Sequence, residues 1–254
     1  MKILTIGDVI GKTGVQKITK ELPGIIKDNN IDFVIINAEN AGDGFGITEK
    51  QYRAILNSGA DVITMGDHTW GKKDIFGFID DKTILRPANL AENAPGKGYS
   101  IFQKNGKKIC VITLIGRTFM SVLSNNPFEC VEKILKNIQS DIIVVEFHAE
   151  ATAEKIAMAR FLDGKVTCIY GTHTHVQTAD EQILKNGTGY ITDIGMSGPT
   201  DSVIGMDIQA SLKRFTTTIP ERYKLADGEA CINGCIFEIN DENCKVEKVT
   251  RIKA

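Results

Sequence analysis

Runs of adjacent apolar residues, each about as long as a strand and each followed by glycine, carboxylate or imidazole, recur at 2–6, 32–37, 61–65, 141–147 and 166–170. Apolar residues at consecutive rather than alternate positions mark buried strands. Helical spacing fills the intervals. Residues 15–27 place Val15, Ile18, Leu22, Ile25 and Ile26 on one stripe, with Pro23 bending it. Thr48 caps a second helix over 48–58, and further helices are predicted at 72–79, 127–138, 152–161 and 207–215. Strand and helix in alternation predict an α/β fold with parallel strands.

The texture changes within 83–114. There 99–102 and 108–114 flank Asn105-Gly106, a hairpin signal, and Asn186-Gly187 repeats it between 181–184 and 189–192. Antiparallel strands are therefore expected beside the parallel set, giving mixed sheets. The glycine-rich stretch 193–199 is expected to be a mobile loop, a candidate pocket wall together with Arg117, and strands are predicted near 222–225, 231–239 and 246–252. No biased linker or internal repeat interrupts 1–254, so one domain is expected.

Composition narrows the class. With 42% hydrophobic and 24% charged residues the chain reads as an ordinary soluble protein, and a net charge of −2 gives no overall field for nucleic acid or an anionic membrane. No stable nucleic-acid partner and no membrane partner are expected, since no apolar run nears the ~18 residues of a span. The 6 cysteines are dispersed without a C-x-x-C pair, and the first strand runs directly into a glycine-acid turn instead of a secretory signal. Both features point to reduced thiols in the cytoplasm. Cys231, Cys235 and Cys244 read as buried thiols in paired strands rather than as a zinc site. Gly7 to Thr13 resembles a P-loop but has one residue too few between its glycines, and Asp8 would repel a phosphate.

The chain has only 4 histidines, and all lie in three short motifs: Gly66-Asp67-His68, Phe147-His148-Ala149-Glu150 and Gly171-Thr172-His173-Thr174-His175. Taken singly, Asp8 or Glu39 after a strand reads as a turn or cap carboxylate, His148 as a core histidine and His68 as packing beside Trp70. Taken together, Asp8, Glu39, Asp67, His148 and the His173/His175 pair close five strands, and the carboxyl ends of parallel strands converge on one crevice. Imidazole with carboxylate and no thiolate suits iron, manganese or zinc better than calcium or magnesium. So many ligands exceed one tetrahedral ion and point to two, about 3.5–4 Å apart.

These motifs, with Gly7-Asp8-Val9-Ile10-Gly11, Asn37-Ala38-Glu39-Asn40-Ala41, Arg86-Pro87-Ala88-Asn89 and Thr192-Asp193-Ile194-Gly195-Met196, resemble those of the calcineurin-like metallophosphoesterase superfamily. More closely they resemble its YmdB type of bacterial cyclic-nucleotide phosphodiesterase. The resemblance implies a four-layer αββα sandwich holding two divalent ions, iron or manganese foremost. It also implies hydrolysis of 2′,3′- or 3′,5′-cyclic nucleotides by metal-activated hydroxide. Carried over by motif, Asp8, Glu39 and His175 hold one ion, while Glu39 as bridge, Asp67, His148 and His173 hold the other. Asn40 lies beside the first ion or a phosphate oxygen, and His68 is the general acid. Two departures stand out. Asp8-Val9-Ile10 lacks the superfamily's Asp-x-His, a loss the YmdB type shares. Gly66-Asp67-His68 replaces Gly-Asn-His, so three carboxylates face two ions, which predicts tighter metal binding and a less electrophilic centre. A phosphomonoesterase acting on phosphoprotein, or a nucleotide-binding regulator with weak turnover because of Asp67, is the alternative. Oligomeric state stays open, a homo-oligomer included.

Overall fold

A computed structural model describes residues 1–222 and 224–254. The first sheet begins with β1 (Lys2–Ile6), α1 (Gly11–Asn29), β2 (Phe33–Asn37), α2 (Glu49–Asn57), β3 (Val62–Thr64) and the two-residue β4 (Ile84–Leu85). The second takes β5 (Tyr99–Lys104), β6 (Lys107–Ile115), α3 (Pro127–Asn137), β7 (Ile142–His148), α4 (Thr152–Leu162), β8 (Cys168–Thr172), β9 (Gln182–Ile183) and β10 (Gly189–Ile191). After β11 (Gly198–Pro199), α5 (Ile208–Thr217) and β12 (Ala230–Cys231), the chain returns to the first sheet with β13 (Asn233–Ile239) and β14 (Val246–Lys253). The strand orders are β14-β13-β1-β2-β3-β4 and β5-β6-β7-β8-β10-β9. Within them β1 to β4 are mutually parallel, as are β6, β7, β8 and β10.

The continuous apolar runs are explained by burial on both faces. Along β2, Phe33 and Ile35 pack between the two sheets, while Val34 and Ile36 turn outward to Ile18, Leu22, Tyr52 and Ile55 of α1 and α2. Along β7, Ile142 and Val144 face the same central layer, and Val145 and Phe147 meet Val131 of α3 and Met158 and Leu162 of α4. Three apolar layers thus separate helix, sheet, sheet and helix: the mixed four-layer αββα sandwich. Among the described residues no helix is long and apolar enough to cross a membrane, and the 6 cysteines are unpaired.

Local signals were mostly kept. Thr48 forms a full capping box with Gln51, and the β5–β6 turn has φ of 49° at Asn105 and 76° at Gly106, as a tight hairpin requires. Several expectations are corrected. The helix predicted at 72–79 is a short 3-10 turn, Lys73–Gly77. Strand 166–170 is displaced to Cys168–Thr172, because the amides of Lys165 and Val166 close the end of α4 on the Leu162 carbonyl. The segment 231–239 divides at Ile232 into β12 and β13. The strand predicted at 222–225 includes Tyr223, which lies outside the described residues; Leu225 makes an isolated bridge to Met206.

The largest correction concerns 193–199. It is buried throughout. Ser197 donates its amide to the Asp8 carbonyl and accepts from Ile10 N at 2.9 Å each, and β11 pairs with β12. The stretch is a packed partner of the Asp8 loop, not a mobile pocket wall. Arg117 is exposed and lines a surface cavity with Asn126 and Glu154.

Candidate metal centre

Both sheets present the carboxyl ends of their parallel strands at one rim. Asp8 and Glu39 stand two residues beyond β1 and β2, and Asp67 three beyond β3; His148 ends β7 and His173 follows β8. The first sheet therefore contributes carboxylates and the second imidazoles. Glu39, Asp67, His148 and His173 each place one ligand atom within 4.8 Å of all the others.

Their spacing resembles the edges of a coordination shell. His148 Nε2 is 2.8 Å from Asp67 Oδ1 and 3.1 Å from Glu39 Oε1, and His173 Nδ1 is 3.3 Å from Asp67 Oδ1 and 3.0 Å from His148 Nε2. Bonds of about 2.0–2.2 Å from one ion to nitrogen and oxygen ligands put neighbouring ligand atoms roughly 3 Å apart. Two further acceptors fit a cation. Asp8 Oδ1 and Asn40 Oδ1 are buried without a hydrogen-bond partner, which buried polar atoms seldom tolerate. The residues thus suit divalent ions in both donor type and placement.

Further contacts orient these side chains. His148 Nδ1 donates to Thr172 Oγ1 at 2.9 Å, and that hydroxyl donates to Glu146 Oε1 at 2.9 Å, which leaves Nε2 as the ligand atom. His173 Nε2 meets Glu150 Oε2 at 3.2 Å, turning Nδ1 inward. His175 Nδ1 donates to the Ile204 carbonyl at 3.0 Å, leaving its Nε2 as lone-pair donor. Asp8 Oδ2 accepts the His173 amide at 3.2 Å. Gly66 admits the cluster, since a β-carbon there would stand 2.4 Å from His148 Cδ2 and 2.5 Å from Glu39 Oε2.

Electrostatics agree with this placement. Burial opposes ionisation of Asp67, but bonds from His148 and His173 and the charges of His148 and His68 outweigh it and hold the carboxyl far below its usual range. Burial likewise opposes charge on His148, yet Glu39 and Asp67 prevail and raise its pKa well above normal. The pocket favours positive charge.

His68 stands at the rim. Its amide donates to Glu39 Oε2 at 3.0 Å, Nδ1 is 3.7 Å from Asp67 Oδ2, and the ring packs edge-on against Phe45 with centroids 4.8 Å apart. Trp70 instead stacks on Phe76. Asp8 meets the group at the His173 amide, while Asn40 and His175 bond Gly44 and Ile204 and do not join the four-residue cluster. Glu146, Thr172 and Glu150 support the ligands although none was singled out from the sequence. For Glu146 a signal existed: it is the one carboxylate inside the apolar run of β7. Burial pushes its pKa up, against hydrogen bonds that include one from Asn37.

Comparison with known proteins agrees with this architecture. A family model described as YmdB-like protein matches residues 4–252. A Bacillus subtilis protein named 2′,3′-cyclic-nucleotide 2′-phosphodiesterase is 46% identical, the match covering 99% of this chain and 96% of that protein. The crystal structure of a Thermus thermophilus protein described as hypothetical aligns with a TM-score of 0.95 at 34% identity, covering 100% of this chain and 99% of the other. That of a protein described as a novel phosphatase from Mycoplasma pneumoniae gives a TM-score of 0.95 at 36% identity, covering 100% and 93%. The chain belongs to the YmdB-like protein family.

Proposed function

We propose that the chain is a cytoplasmic phosphodiesterase that holds two divalent ions, manganese or iron in preference to zinc, and opens cyclic nucleotides of the 2′,3′ type. The observation that carries this reading is the convergence of Glu39, Asp67, His148 and His173 from two sheets on one point. The name of the Bacillus subtilis relative supports the substrate class.

Glu39, Asp67, His148 and His173 would hold one ion, and Asp8, Asn40 and His175 would hold the other together with Glu39. Asn40 donates Nδ2 to the Gly44 carbonyl at 3.0 Å. Its remaining atom is therefore an acceptor, which suits a cation and not a phosphate oxygen. When bound, such ions supply positive charge that polarises a phosphodiester and acidifies water. His68 keeps Nδ1 toward Asp67, so a proton on Nε2 is placed for transfer to the departing ribose oxygen. A sugar alkoxide is a poor leaving group and requires that proton.

Metal content and hydrolysis of a 2′,3′-cyclic nucleotide, measured on one preparation beside Asp67→Asn, test the proposal. About two ions per chain and turnover are expected. The variant, with one less anionic ligand, should bind ions about 10-fold or more weakly and turn over no more slowly at saturating metal. A fully loaded protein that cleaves only phosphomonoesters would make it a phosphatase. Nucleotide binding without hydrolysis in the parent, restored to turnover by Asp67→Asn, would make it a regulator.

A further inference from the structure

Lys155 and Asp193 form an ion pair sealed inside the protein. Lys155 Nζ donates to Asp193 Oδ2 at 2.7 Å, with the two side chains 2% and 0% exposed. Lys155 belongs to α4, and its stem passes Gly171 of β8, where a β-carbon would stand 2.8 Å from Lys155 Cδ and 1.9 Å from the Thr192 carbonyl oxygen. Only glycine leaves that passage open. Taking two charges out of water is expensive, and their attraction seldom yields net stability. A pair built at this depth calls for a use other than stability.

The bonds around Asp193 indicate one. The oxygen that meets Lys155 also accepts from Thr174 N at 3.2 Å and Thr174 Oγ1 at 2.7 Å, while Oδ1 accepts from Gly195 N at 2.8 Å. Thr174 is the residue between His173 and His175. Those two histidines have φ of 96° and 65°, left-handed values that a residue with a side chain adopts only when its surroundings enforce them. Among the described residues no other pair of positive-φ side-chain-bearing residues flanks a single neighbour in this way.

We infer that the Lys155–Asp193 pair is a positioning device for the His-Thr-His turn. Asp193 grips Thr174 and so fixes the backbone from which His173 and His175 project, and Lys155 holds that carboxylate in its aim. Both side chains are sealed from the surface. The inference rests on the metal reading given above, to which it adds residues from α4 and from the loop after β10.

Thr174→Val tests it, because the change keeps Lys155, Asp193 and the Thr174 amide bond and puts a methyl group where the hydroxyl meets Asp193. Titration of the metal-stripped protein with Mn²⁺ by calorimetry, beside thermal unfolding of the same stripped protein, separates positioning from folding. The expected result is affinity about 10-fold weaker or more in a stripped protein that is still fully folded at the titration temperature, its unfolding temperature lowered only by the lost bond to Asp193, and parental affinity in Thr174→Ser, which keeps the hydroxyl. Equal affinity in parent and Thr174→Val overturns the inference alone. A parent that takes up no Mn²⁺ overturns both the inference and the metal reading. Lys155→Met, where circular dichroism shows it folded, should lose affinity in the same way; parental affinity there would remove the lysine from the device.

Discussion

Asn37 of β2 donates Nδ2 to Glu146 Oε1 of β7 at 2.6 Å, a buried polar bond that crosses from one sheet to the other. The same amide accepts the Glu39 backbone N–H through Oδ1 at 3.1 Å, so its orientation is settled. Asn37 thereby joins the backbone of a carboxylate ligand to the residue that orients His148 through Thr172. Glu146 also accepts from Tyr170 at 3.3 Å. The two sheets are thus tied together beneath the four-residue cluster as well as within it.

Replacing Glu146 by Ala should leave the donors of Asn37, Thr172 and Tyr170 without their acceptor. A buried donor left unsatisfied costs about 1–3 kcal/mol, and loss of a residue that orients a ligand weakens metal binding about 10–100-fold. Urea unfolding of the stripped protein should show the first loss and metal titration the second. An intact metal affinity would remove Glu146 from the support of His148.

Gly66→Ala should act differently. Its β-carbon would meet the His148 ring and Glu39 Oε2 at about the length of a covalent contact plus one ångström, 2.4 and 2.5 Å, and neither neighbour is the free end of a flexible surface chain. The far-ultraviolet spectrum should be retained because the residue lies beyond β3, while the bound-metal content falls toward zero. Parental metal content in the purified variant would show that the 66–68 loop can move away from the ligands.

The convergence of Glu39, Asp67, His148 and His173 was legible in the sequence because each stands at a repeated position, at or just past the end of a strand, and two sheets of parallel strands bring such positions together. The supporting residues were harder to see. Glu146 sits at an interior position of β7, where a lone carboxylate among apolar residues signals a buried partner without saying which one, and that partner, Asn37, lies 109 residues earlier. The stretch 193–199 was misread because glycine marks flexibility and close packing alike. Here Gly195 lies so near Gly7 that a β-carbon on Gly7 would overlap its carbonyl oxygen. β4 was missed at two residues, too short for any periodicity.

The turn beyond the histidine pair carries a pH dependence. Asp180 accepts from Thr178 Oγ1 at 2.6 Å, from Thr192 N at 3.1 Å and from the Thr192 hydroxyl. Burial opposes its ionisation, but these bonds prevail and its pKa lies below the usual carboxylate value. A carboxyl group whose pKa is depressed by folding stabilises the protein above its unfolded pKa, near 4, and loses that contribution as pH falls through the folded value. Asp180→Asn should therefore lower the unfolding temperature at neutral pH and narrow its gap from the parent below about pH 4. A gap of constant size across thermal melts from pH 3 to 7 would assign the stabilisation to hydrogen bonds that do not depend on charge.

Replacement of His68 tests the proposed general acid separately from metal binding. The His68 amide, not its ring, bonds Glu39, and that bond survives replacement by Ala, so His68→Ala should keep the parental metal content. With a cyclic nucleotide, whose leaving group is a ribose oxygen, loss of the general acid should slow turnover by about 10²–10⁴-fold. With a nitrophenyl phosphodiester the leaving oxygen departs as a stable anion and the loss should be far smaller. The ratio of the two losses is the measurement, because damage to the ions or to the surrounding fold would slow both substrates alike. Equal losses would return His68 to the role of a packing partner for Phe45.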